Sequence, residues 1–183
     1  MLKGKNLFLT PIERHNLVSV HQWLKELDNF FYFSEYFIAP PTLDEIEIWY
    51  NSLINNNKNK VFIINHNESK VSLGMIELSK IDWKNRNAYI GVLIGNRNQR
   101  RKGFATESLK ILINLAFQYW NLHKLFALIV DNNLPSIKLF EKMNFTKEAV
   151  LIQNCFVDNE YHDQFLYSLL KNDYEKKLDK YTI

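Results

Sequence analysis

A single cysteine, Cys155, is all the thiol chemistry this chain has, so neither an internal disulfide framework nor a cysteine-based zinc site is available. Cys155 lies in the apolar stretch LIQNCFV and reads as an ordinary strand residue. No apolar run approaches the ~20 residues of a membrane span. The first residues, MLKGKNLFLTPIERH, hold too short an apolar run for a secretory leader, and charges follow it at once. A cytoplasmic setting, with no membrane partner, is the expectation. There is no internal repeat and no Pro/Gly/Ser linker, so the 183 residues read as one domain, 1–183. Net charge is only +3, too little to argue for a nucleic-acid binder unless the cations cluster. The five histidines (15, 21, 66, 123 and 162) show no metal-ligand spacing, so no metal is expected.

What is present is a change of period along the chain. NLFLTPI reads as a strand stopped at Pro11, and Leu17, Val20, Leu24 and Leu27 then recur at helical spacing. Thr42 with Glu45 forms a capping box for a second helix through Ile46, Trp49, Tyr50 and Leu53. NNNKNK (55–60) is a connecting loop. KVFIINHN, KVSLGMIELSKI and NAYIGVLIG are strand-like runs joined by polar turns, as in an antiparallel meander. Leu109, Leu112, Ile113, Ala116 and Tyr119 are expected to form one face of a helix. HKLFALIV is a buried strand, and LPSIKLFEKMN is a short helix with Pro135 in its first turn and Asn144 at a left-handed exit. AVLIQNCFV and YHDQFLYSLL flank a hairpin turn at Asp158-Asn159. The expected order is β-α-α-β-β-β-α-β-α-β-β, a mixed α/β (α+β) domain.

The most informative stretch is NRNQRRKGFATESLKIL, residues 96–112. Arg97, Arg100, Arg101 and Lys102 precede Gly103, and a helix follows at once. A chain entering a helix through such a turn offers backbone N–H groups that have no acceptor inside the helix, and the helix dipole favours an anion there. Gly103 permits close approach, small Ala105 keeps the first turn clear, and the combination suits a diphosphate. The P-loop and dinucleotide fingerprints are both absent. A solvated basic loop is the plainer alternative. A nucleic-acid patch lacks the interleaved aromatic platform it would need, so no nucleic acid is expected as a partner.

QRRKGFATESL resembles the pyrophosphate-binding signature Q/R-x-x-G-x-G/A of the GNAT acyl-CoA-dependent N-acetyltransferases, with Arg100, Gly103 and Ala105 at its three positions. VDNNLPSIKLFEKMNF is similar to the family's later Asn-containing strand end and following helix. GMIELSKIDWKNRNAYIGVLI and VLIQNCFVDNEYHDQFLYSLLKNDY are similar to the branch containing spermidine and ribosomal-protein N-terminal acetyltransferases. The likeness runs from about residue 7 to 175 and is strongest over 70–170.

The resemblance implies a mostly antiparallel twisted sheet flanked by helices, with a V-shaped splay between the parallel strands AYIGVLIG and KLFALIVD. It implies acetyl-CoA as co-substrate and direct acetyl transfer to a primary amine. The acceptor would be a polyamine or a protein N-terminal α-amine, with a nucleotide-linked amino sugar or a non-catalytic acyl-CoA sensor as alternatives. Main-chain groups at Leu93 and Ile94 would hold the pantetheine arm. The amides of Arg101, Lys102, Gly103, Phe104, Ala105 and Thr106 would wrap the pyrophosphate, and Asn133 would contact the thioester end.

The family's acid is often a Tyr, but the matching position here is Phe140, which cannot donate. Ser136, one helical turn earlier, would then protonate the thiolate or would simply cap its helix. Relatives often carry a Glu base where this chain has Tyr89. Glu77 is the first candidate base, with a solvent-facing strand residue or a water relay as the alternatives. Glu35, Glu77, Tyr89 and His162 are the candidate acceptor contacts. Relatives often pair, so a homodimer or higher homo-oligomer is expected.

Overall fold

Strands and helices alternate along this chain because the hydrophobic period switches between two and 3.6 residues. The computed structural model describes residues 2–26, 37 and 39–179, with side chains to residue 176. The predicted Leu27 and the candidate acceptor contact Glu35 lie outside these residues. In chain order come β1 (Leu2–Lys3), β2 (Leu7–Pro11), a 3-10 turn (Arg14–Asn16), α1 (Leu17–Leu24) and α2 (Leu43–Leu53). The central strands are β3 (Lys60–His66), β4 (Ser72–Asp82) and β5 (Asn87–Ile94). A second 3-10 turn (Arg97–Gln99), α3 (Phe104–Asn114), a π turn (Leu115–Tyr119), β6 (Lys124–Val130) and α4 (Leu134–Lys142) follow. β7 (Thr146–Val157), β8 (Glu160–Leu170) and α5 (Lys171–Asp179) complete the order.

The eight strands form one sheet in the order β1-β2-β3-β4-β5-β6-β8-β7. β5 and β6 are the parallel pair, in register from Asn87↔Lys124 to Tyr89↔Phe126. The other neighbours whose registers are given run antiparallel. The mixed, mostly antiparallel α/β architecture is therefore the expected one. β1 and α5 are additions that the sequence pattern did not announce.

The chain folds as two compact units, residues 1–79 with 91–112 and residues 80–90 with 113–183. In the first, α1 and α2 lay Leu17, Val20, Leu24, Ile46 and Trp49 on Val61, Ile63 and Met75 of the strands. Thr42 caps α2 as predicted: its hydroxyl accepts from the Glu45 N–H at 3.2 Å, and the Glu45 carboxylate accepts from the Thr42 N–H at 2.7 Å. In the second unit, Phe117, Leu122, Leu125, Ala127, Phe145 and Leu169 are buried.

One predicted core residue is wrong. Leu109, Leu112, Ile113 and Ala116 are fully buried, but Tyr119 is 75% exposed and Phe117 takes the inward place. The cause is the π turn at Leu115–Tyr119, whose extra residue per turn rotates later side chains off the apolar stripe. Asp158 and Asn159, at φ 51° and 65°, form the expected hairpin turn, and Asn144 (φ 67°) the expected left-handed exit. No described helix is long and apolar enough to cross a membrane.

Candidate acetyl-CoA and acceptor site

The loop after β5 is shaped by its own backbone. Asn96 opens the 3-10 turn, its side-chain oxygen accepting from the Asn98 N–H at 2.9 Å. The Arg100 Nε donates to the Ile94 carbonyl at 3.3 Å and so ties the loop to the strand end. Arg101 (φ 61°) and Gly103 (φ 85°) both take the left-handed region, reversing the chain so that it enters α3. The Glu107 N–H makes a helical bond to the Gly103 carbonyl at 3.0 Å. The amides of Phe104, Ala105 and Thr106 come before it and have no acceptor within the helix. A Cβ built on Gly103 would meet nothing within 4 Å, so the space beside these donors is open. Arg101, Lys102 and Gly103 are exposed around it.

Two anchors hold the helix start. The Glu107 carboxylate accepts from the Asn6 N–H at 2.7 Å and from Asn6 Nδ2 at 2.9 Å. Burial pushes the Glu107 carboxyl up, but the Asn6 backbone and side-chain hydrogen bonds outweigh it and hold it below its ordinary value. The Phe104 ring meets the His66 ring edge-on, 5.8 Å between centroids. Behind the strand end, a Cβ on Gly74 would overlap the Leu93 carbonyl, so β4 approaches the β5 backbone there only because residue 74 has no side chain. Leu93 and Ile94 themselves are buried.

In the second unit, β6 ends in an Asp131-Asn132-Asn133 turn into α4. Asn133 is the helix cap: its side-chain oxygen accepts from the Ser136 N–H at 3.2 Å. Capping is thus done by Asn133, and the Ser136 hydroxyl is not needed for it. Phe140 is 4% exposed and packs edge-on against Phe145, 5.0 Å between centroids. Tyr89 lies against Phe126 at 5.4 Å, with the Lys80 ammonium 5.2 Å over its ring. His162 is half-buried on β8, and its Nδ1 lies 2.9 Å from Asp131 Oδ1. Asp131 was not among the predicted residues, because only the β6–β8 register makes it a neighbour of His162. Cys155 stands opposite His162 in β7. Its thiol is pushed up by burial and by the Asp131 charge, which suits an unreactive strand residue.

Glu77 lies in the first unit, on β4 opposite Val61, and is 7% exposed. Of the two readings open from sequence, the solvent-facing one does not hold. The described residues contain no cluster of His, Cys, Asp or Glu able to hold a metal ion.

Helix-start amides with no acceptor inside the helix, behind an exposed glycine and among exposed cations, suit a pyrophosphate. Residues 6–146 match the Acetyltransferase (GNAT) domain, and the chain belongs to that family. It is an N-acetyltransferase that uses acetyl-CoA. The chain is similar to the spermidine N(1)-acetyltransferase of Vibrio cholerae, 27% identical over 173 residues that cover 93% of this chain and 96% of that one. It is likewise 27% identical to the Escherichia coli K12 spermidine N(1)-acetyltransferase, over 95% of this chain and 91% of the other. A putative ribosomal N-acetyltransferase of Bacillus subtilis is 32% identical, over 56% of this chain and 55% of its own. The crystal structure of the Vibrio cholerae spermidine enzyme in complex with CoA and spermine superposes with a TM-score of 0.86 at 26% identity, covering 94% of this chain and 99% of that one.

Proposed function

We propose that this chain, as a single transferase domain over residues 1–183, moves acetyl from acetyl-CoA to a primary amine of a small polycation of the spermidine kind. The observation that carries the reading is nearly full-length similarity to two spermidine N(1)-acetyltransferases, one of them solved with CoA and spermine. A protein N-terminal α-amine is the second reading, supported by the similarity to the putative ribosomal enzyme.

The amides from Arg101 to Thr106 take the pyrophosphate, and the exposed Arg101 and Lys102 add positive charge around it. Leu93 and Ile94 offer main-chain groups to the pantetheine arm. Asn133 keeps its side-chain oxygen for the helix cap and offers its NH2 to the thioester end. Phe140 supports that helix from the core. The reaction needs an amine free of its proton, although a lysine-like amine has a pKa near ~10. It then needs attack on the thioester carbon from a held position and a proton for the departing sulfur. The Ser136 hydroxyl relays that proton. Glu77, nearly out of solvent, stands with Glu35, Tyr89 and His162 on the acceptor side. A homo-oligomer is proposed as well, supported by a dodecameric structure of the Vibrio cholerae relative.

The test is CoA release across polyamines, amino sugars and short peptides. Turnover highest with spermidine or spermine supports the first reading. Preference for a peptide N-terminus replaces it with the second.

A further inference from the structure

His162 on β8 pairs with Asp131 at the end of β6. β8 runs antiparallel to β6 with Val130 opposite Gln164, and the Asp131 N–H donates to the Asp163 carbonyl at 3.0 Å. Pairing therefore continues one residue beyond β6 and brings the Asp131 carboxylate to the His162 ring. Nδ1 stands 2.9 Å from Asp131 Oδ1, and Nε2 stands 3.4 Å from Asn132 Nδ2. An ionised carboxylate only accepts, so Nδ1 carries the hydrogen. An amide NH2 only donates, so the same tautomer is selected from the other side, with the Nε2 lone pair accepting from Asn132 over a long 3.4 Å contact that an incoming ammonium would replace. The side chains of His162 and Asp131 are 17% and 34% exposed, sheltered yet reachable. The other ion pair of a histidine among the described residues, His15 with Glu13 at 3.4 Å, is mostly exposed on both sides.

The groups around the ring agree with one role. Asp131 faces it from the end of β6. Asp163, next to it on β8, has its carboxylate engaged by the Gln153 N–H at 2.8 Å. The Cys155 thiol across on β7 is held protonated by burial and by the Asp131 charge, so it does not compete for the proton. Asn132 leads directly to Asn133 and Ser136, the residues assigned above to the thioester end. Phe140 has no proton acceptor, and Glu77 has almost no solvent through which to pass a proton on.

We propose that His162, oriented by Asp131, is the base that takes the proton from the acceptor's ammonium; this rests on the transferase reading given above. One N–H bond of the ammonium breaks and its proton moves to Nε2, giving an imidazolium paired with the Asp131 carboxylate. The freed nitrogen lone pair forms the C–N bond at the thioester carbon, and the C–S bond breaks with its electrons on sulfur. The second proton lost from nitrogen reaches the sulfur through Ser136, and the imidazolium returns the first to solvent. Amine and acetyl-CoA thus become amide, CoA thiol and one released proton.

The experiment is the pH profile of kcat/KM for a spermidine-type acceptor, read by CoA release, for the unaltered protein, His162→Gln and Asp131→Asn, with acetyl-CoA affinity by calorimetry as control. The unaltered protein should lose rate on acidification, as a base that must be unprotonated requires. H162Q should lose that limb and fall about 100-fold or more at neutral pH, with acetyl-CoA affinity unchanged. D131N should also lower kcat/KM, because Nδ1 loses the carboxylate that supports the imidazolium. H162Q with an unaltered limb and rate overturns the role of His162 alone. No CoA release by the unaltered protein with any amine overturns the transferase reading instead, and the base role with it. Nitrogen NMR of the His162 ring needs no variant to fold: a hydrogen on Nδ1 at neutral pH supports the proposal, and one on Nε2 only overturns it.

Discussion

Gly103 and Ser136 show how little side chain the proposed chemistry requires. A Cβ at residue 103 would enter open space, so in the free protein a larger residue meets only the cost of its φ of 85°, about 1–2 kcal/mol. The space it enters is the space proposed for the pyrophosphate. Gly103→Val should therefore weaken acetyl-CoA binding at least tenfold by calorimetry while leaving a cooperative thermal transition in place. Unchanged affinity would reject the loop assignment. Ser136→Ala should lower kcat by about 100-fold or more, the scale of a lost proton donor, with acetyl-CoA affinity unchanged because the cap belongs to Asn133. An unaltered kcat would remove Ser136 from the proton path. Gly74→Ala should destabilise by about 1–3 kcal/mol, since the new methyl overlaps backbone at the Leu93 carbonyl, where no rotamer change can relieve it. A matching fall in Tm is the readout.

At the scale of elements, α3 depends on an anchor that titrates. The Glu107 carboxyl is held below its ordinary value of 4.5 by Asn6, so its contribution to stability is full above that value and is lost as pH falls through the lower folded one. The Tm gap between the unaltered protein and Glu107→Gln should be largest near neutral pH and should close on acidification below about pH 4. A gap independent of pH would mean that charge has no part in the anchor. The elements themselves were largely legible beforehand, for identifiable reasons. Thr42 and Glu45 announce the start of α2 because a capping box is local, and Asp158-Asn159 announces the hairpin because few residues accept its φ values. The exposed Tyr119 was not legible, since a π turn has no sequence signature against which periodicity can be corrected. The Asp131–His162 pair was invisible for another reason: 31 residues separate the partners, and only strand register joins them. Glu77 was ambiguous because alternation along β4 fails when residues 73–79 are all buried.

For the whole molecule, the modest net charge of +3 bears on acceptor choice. If the acceptor is a polycation, KM for spermidine should rise with ionic strength, because a multiply charged ligand loses attraction as the Debye length shrinks. KM for a peptide α-amine should hardly move. If the chain assembles as its dodecameric relative does, light scattering should give a mass that is a multiple of the 21.9 kDa chain, and dilution should lower it. A mass of one chain at micromolar concentration would set the assembly proposal aside.

The π turn at Leu115–Tyr119 also sets the length of chain available before β6. Its wider turn takes up one more residue than α geometry would. Deleting Gln118, which is on the exposed side, should return the segment to ordinary α geometry and leave a cooperative thermal transition, at the cost of the Gln118 bond to Glu175.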